Sequence, residues 1–214
     1  MTRAAAAVAV AAVAAVAMAM VAMFANRIVA PTPAYADAAP TPEPELRGWR
    51  AWRPRVDVEP AAWFLGGYSV HVGVQPPAFP RVLLSTGAYA FDMPAMLMTM
   101  TGEDPDAWDG RLTFGGGVFA DVFVGEHVDR GWVLGGQLGV QRYRVTDRAT
   151  MERHQLDCAL LLLRAGYEWH PRGLGGYIFP WAGAAITPEV GGDSGPYDPR
   201  PIVPYVTLDL GWRF

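Results

Sequence analysis

Tyr205-Val206-Thr207-Leu208-Asp209-Leu210-Gly211-Trp212-Arg213-Phe214 decides how the rest of the chain is read. Val206, Leu208, Leu210, Trp212 and Phe214 alternate with Tyr205, Thr207, Asp209, Gly211 and Arg213. Successive side chains of a strand point to opposite faces, so this segment divides an oily surroundings from a wet or charged one. A soluble β-sandwich also alternates in this way. An aromatic residue at the very end of the apolar face, with Trp212 beside it, favours a membrane barrel, where an aromatic girdle marks the interface.

The same period recurs upstream. Arg111-Leu112-Thr113-Phe114 leads to Val118, Ala120, Val122 and Val124, with Thr113, Asp121 and glycines on the other parity. Trp132, Leu134, Leu138 and Val140 alternate with Gly135, Gln137, Gly139, Gln141 and Tyr143. From Glu152 to Trp169, Arg164 and Glu168 share one face while Leu161, Leu163, Ala165, Tyr167 and Trp169 share the other. Phe64, Tyr68, Val70 and Val72 oppose Ser69 and His71; strands near Arg81 to Ala90 and Leu174 to Thr187 alternate less clearly. That makes seven strands, and since single-chain bacterial barrels have even numbers, Arg47 to Val58 is the candidate for the eighth. The fold expected is all-β: an eight-stranded antiparallel transmembrane β-barrel.

The connections sort by size. Gln75 to Pro80, Gly125 to Arg130 and His170 to Gly173 are short, whereas Phe91 to Asp109 and Pro188 to Pro201 are long. They alternate along the chain, as in barrels with short periplasmic turns and long outer loops. The short link from Val145 to Met151 is the exception on the outer side.

Composition and the N-terminus agree with a membrane location. Hydrophobic residues make up 51% of the 214 and charged residues only 18%, below the usual quarter of soluble domains. A net charge of -4 supplies no basic surface for nucleic acid. Arg3 precedes a run of small apolar residues from Ala4 to Ala25, and Ala34-Tyr35-Ala36 before Asp37 has the small-x-small pattern of a signal-peptidase site. Residues 1–36 are read as a cleaved signal peptide, with an uncleaved anchor as the rival, since the run is long enough to cross a bilayer. Residues 37–60 are read as a proline-rich linker and 61–214 as the barrel. After residue 36 no apolar run is long enough for a membrane helix, so only closed strands can span. Cys158 is the single cysteine; no disulfide within the chain can form, and a buried, inert thiol is expected.

In this pattern the segment 61–214 resembles the small outer-membrane barrels of the OmpA, OmpX and OmpW kind, and the aromatic-ended strand looks like the signal read by the barrel-insertion machinery, carried by Tyr205, Leu208, Leu210, Trp212 and Phe214. Pro180-Trp181-Ala182-Gly183 before the final strand is similar to an element of uncharacterised barrel proteins. The resemblance implies the outer membrane as location, with its lipid and lipopolysaccharide and the insertion machinery as partners, and no cofactor.

The polar face collects Ser69, His71, Arg111, Asp121, Arg164, Glu168, Asp209 and Arg213. An eight-stranded barrel is only wide enough for side chains to fill, so opposite charges are expected to pair across it. A hydrolase built on Ser69 or His71 with Asp209 is the sharper alternative, without an oxyanion signature to accompany it. Met96, Met98 and Met100 would present three thioethers to Cu(I) from an extended chain, or form an apolar loop patch. Glu103, Asp104, Asp106 and Asp109 lack calcium-loop spacing and are read as solvated. Arg142 and Arg144 fall on the lipid-facing parity near the outer rim, where lipid phosphates lie. The function expected is a structural or surface-interaction barrel rather than an enzyme, with a narrow or lateral passage for a small apolar solute and a lipid-modifying enzyme as alternatives.

Overall fold

The computed structural model describes residues 52–125, 130–171 and 175–214; the signal-peptide reading of residues 1–36 and most of the linker reading lie outside them. Among the described residues nine strands form one antiparallel sheet: β1 (Arg53–Val58), β2 (Tyr68–Gln75), β3 (Val82–Met93), β4 (Trp108–Val124), β5 (Gly131–Asp147), β6 (Arg153–Glu168), β7 (Gly176–Ile186), β8 (Glu189–Asp193) and β9 (Ile202–Arg213). From β1 to β7 each strand pairs with the next, β7 then pairs with β9 and β9 with β1, so the sheet closes into a ring. β7 and β8 both lie along β6, β7 on Leu161–Gly166 and β8 on Gln155–Cys158, and together they do the work of one strand interrupted at Thr187-Pro188. The wall therefore has eight positions, and β1 is the eighth, inside the segment that composition marks as linker. The signal was present: Arg55-Val56-Asp57-Val58 carries period two.

Register explains the two faces. Val72, Thr86, Val118, Leu138, Leu161 and Ile186 are successive partners across six strands and all stand on the outside. Thr86 turns its hydroxyl onto the Gly117 carbonyl at 2.9 Å, so even this row offers no unsatisfied polar group. The middle of the outer wall is aliphatic, with Val70, Leu84, Val122, Leu134, Val140, Leu163, Val206 and Leu208 exposed. Exposed aromatic side chains gather at both ends. Trp52, Phe79, Tyr167, Trp169, Trp212 and Phe214 lie at the short-turn end, and Trp63, Phe64, Tyr68 and Phe114 toward the other. Trp132 joins the first group, edge to face with Tyr167 at 5.4 Å.

The inside is narrow, and glycine makes room where bulky inward groups meet. A Cβ on Gly211 would lie 2.1 Å from the Tyr177 ring and 2.4 Å from an Asp57 oxygen; one on Gly135 would meet Asp121 Oδ1 at 2.0 Å.

Two expectations are corrected by helices. Phe64 belongs not to a strand but to α1 (Pro60–Phe64), begun by Pro60, whose fixed φ suits a first helical turn. Met96, Met98 and Met100 belong to α2 (Ala95–Met100), formed from good helix formers behind Pro94. A helix fans the thioethers apart: Met98 is buried and Met96 is exposed.

α1 occupies a gap in the wall. β1 reaches only Leu210 to Arg213 of β9, so Ile202 to Asp209 have no strand on that side. α1 packs there against β2, β3 and β9, and Glu59 ahead of it accepts a hydrogen bond from the Thr207 hydroxyl. Pro204 lies in the same stretch, as expected of an edge that has no ladder donor to offer.

At the long-loop end, Met98, Trp108, Val145, Leu156, Cys158 and Tyr197 form an apolar cluster that closes the mouth. Arg200 N–H donates to the Thr101 carbonyl at 2.7 Å and Asp198 N–H to Glu103 at 3.0 Å, tying the loop after β8 to α2. Burial under this lid pushes the Tyr197 phenol up to about 12 and raises the Glu103 carboxyl. Cys158, buried beneath it, is expected to resist a maleimide in the folded protein and to be labelled only after denaturation, as read by intact mass.

Candidate functional site: the charged interior

Three layers of polar groups stack beneath the lid. Nearest the short turns, Glu168 on β6 is the hub. It takes hydrogen bonds from Arg55 Nη1 at 2.8 Å and from Arg213, and lies 2.8 Å from His170 Nε2. Arg55 also forks onto Asp57 at 2.9 and 3.2 Å, with its guanidinium 4.1 Å from the centre of the Tyr177 ring. A carboxylate this buried needs such partners, because stripping water from a lone charge costs several kcal/mol, roughly.

In the second layer Arg164 grips Asp121 with two bonds of 3.0 and 2.7 Å and lies 3.8 Å from Asp209. Trp181 Nε1 donates to Asp209 Oδ2 at 3.0 Å, and the rings of Phe119, Phe179 and Trp181 surround the guanidinium at 4.9 to 5.4 Å. The cation thus faces carboxylates edge-on and aromatic faces elsewhere, a use that arginine's planar fork allows and a lysine would not. In the third layer Gln141 bridges two phenols, donating to Tyr89 at 3.1 Å and accepting from Tyr143 at 2.7 Å.

Of the residues selected from sequence, Ser69, His71, Asp121, Arg164, Glu168, Asp209 and Arg213 stand on the inner face. Arg111 does not. The register shifts between Leu112 and Phe114 on β4, and between Tyr89 and Phe91 on β3. An extra residue reverses the parity beyond it, and Arg111 emerges on the outside, paired with Asp92. Ser69 and His71 share a face, yet the Ser69 hydroxyl makes no hydrogen bond to His71. Arg55, Asp57, Glu59 and His170 escaped the selection, the first three because their segment reads as linker and His170 because it follows the last strand residue of β6.

The layers leave little space. A cavity of about 60 Å³ remains between Glu59, His71, Tyr89, Arg164 and Tyr205, room for no more than a few waters. Among the described residues, no group of histidine, cysteine and carboxylate side chains is arranged to hold a metal, and no helix is long and apolar enough to cross a membrane. No protein-family model matches the chain, and no curated protein matches it either.

Proposed function

We propose that the chain is an integral barrel of a Gram-negative outer membrane, of the OmpA, OmpX and OmpW kind, delivered by a cleaved signal peptide and serving a structural or surface-interaction role with its lumen filled. One observation carries this reading. The outer wall is aliphatic through its middle and aromatic at both ends, while charges are paired inside. That distribution is the reverse of a water-soluble barrel and matches the layering of hydrocarbon and headgroup regions. The ring also suits lipid because most of its strand length is paired on both sides and α1 covers the strand-free edge of β9. The long-loop end faces outward in this reading, and Tyr205, Leu208, Leu210, Trp212 and Phe214 form the insertion signal.

Cell fractionation with a gel of boiled and unboiled samples tests it. The protein is expected in the detergent-extracted envelope and to migrate faster unboiled. A form released with the periplasm and indifferent to heating would reject the membrane assignment.

A second reading, lateral passage of a small apolar solute, is favoured by the strand-free edge of β9 behind α1. Under it, vesicles containing the protein should take up an apolar dye faster than protein-free vesicles; the structural reading expects equal rates and no discrete conductance steps in planar bilayers. A lipid-modifying enzyme would instead change the mass of lipid A after expression.

A further inference from the structure

Resting on the membrane reading, we infer that the outside of β4, β5 and β6 at the long-loop end binds the phosphate of an outer-leaflet lipid, with Arg144 as the main ligand. Arg144 stands on the outer face of β5, directly opposite Arg111 of β4 and Gln155 of β6. Arg142 is two residues below it on the same face. Like charges set opposite one another across a ladder repel, and Asp92 answers Arg111 alone, so Arg144 is the cation of this row that an added anion would balance.

The neighbouring cations are already oriented. Arg142 is forked onto Asp157 at 2.7 and 3.1 Å. Arg111 pairs with Asp92 and reaches the Gly66 carbonyl at 3.3 Å. Among the described residues Arg144 has no ion pair or hydrogen bond of its own, and it is exposed. Besides Asp92 and Asp157, each already paired with its own arginine, the acids nearest the row are Asp109, opposite Thr146, and Asp193, which is opposite Gln155 and accepts the Gly195 N–H. Neither faces Arg144 directly. A guanidinium held beside two others, one partnered on each side, can turn its free edge to phosphate oxygens.

The surface beneath has the shape for the rest of a lipid. Phe114, Val140 and Val190 line a cleft of about 330 Å³, with Arg142 and Asp157 among its walls. Val140 and Val190 are among the most exposed aliphatic side chains of the wall. An apolar slot under an arginine, at the upper limit of the aliphatic zone, accepts a hydrocarbon chain and its phosphate together. A free phosphate ion would use only the upper half.

The test uses the full chain refolded into phosphatidylcholine vesicles, with heat-shift on a gel as the first step. Bisphosphorylated lipid A and its dephosphorylated form are then added, and retention after exchange into fresh vesicles is read by mass spectrometry. The folded protein is expected to retain the phosphorylated form about tenfold over the other, a difference lost in Arg144→Gln and partly kept in Arg144→Lys. Arg130→Gln, at the opposite end, should behave as the unaltered chain. Equal retention of the two lipids, or undiminished preference in Arg144→Gln, overturns the inference. So does full displacement of the lipid by millimolar inorganic phosphate, which would make the site one for the free ion. A chain that never inserts fails at the first step, and takes the membrane reading with it.

Discussion

Arg164→Met is expected to lower the stability of the folded barrel by about 3–5 kcal/mol, the usual cost of removing one partner from a buried charge pair. Arg164 alone faces Asp121 through two hydrogen bonds and stands 3.8 Å from Asp209. Both carboxylates are almost completely buried. Without the guanidinium, Asp121 loses its only described ion pair, and Asp209 keeps the Trp181 donor alone. Urea unfolding in vesicles reads the loss directly. The triple change Arg164→Met, Asp121→Asn, Asp209→Asn removes the stranded charges and should recover much of it. An unfolding midpoint for Arg164→Met equal to that of the unaltered chain would mean that the second layer carries no net stabilisation.

The second large effect concerns the outside. Leu138 lies in the row of outward partners that crosses six strands, far from either aromatic zone. An arginine placed there is expected to cost about 2–4 kcal/mol in a bilayer, whereas one replacing Val124, beside the Trp132 girdle, should cost about 0–1. The contrast between the two positions carries the information. Val124 and Leu138 are both exposed, so in water the two substitutions would differ little. Equal and small effects in vesicles would place the aliphatic wall somewhere other than in hydrocarbon.

Much of this architecture is written in alternation. The faces of β5, β6 and β9 follow directly from their parity, because each is a long strand without internal irregularity and a one-residue slip would put Asp209 or Arg164 outside. The alternation of short and long connections also holds, except for the short β5–β6 link at the long-loop end. Arg111 shows where parity stops being informative. A bulge is a backbone event with no residue signature of its own in Leu112-Thr113-Phe114, and everything beyond it changes face. Phe64 and the methionine triplet show a second limit: helices of five and six residues are too short for a periodicity to declare itself. β1 was legible in its residues but obscured by the prolines around it. The candidate site was readable as a set of charges on one parity, but not as layers. Which acid meets which base depends on the shear of the closed ring, which aligns Arg55 with Glu168 across positions that no local pattern relates.

The seam between β1 and β9 carries a consequence for assembly. Arg55 and Arg213, near opposite ends of the described chain, are direct partners there, and both bond Glu168. Joining points so distant in sequence is entropically the most demanding contact in the molecule and is expected to form late. Until it forms, Glu168 has neither arginine and the two terminal strands have bare edges. A half-translated or half-threaded chain therefore has no stable resting shape. Completion of the circle is the event that pairs both bare edges and gives the buried carboxylate its two cations.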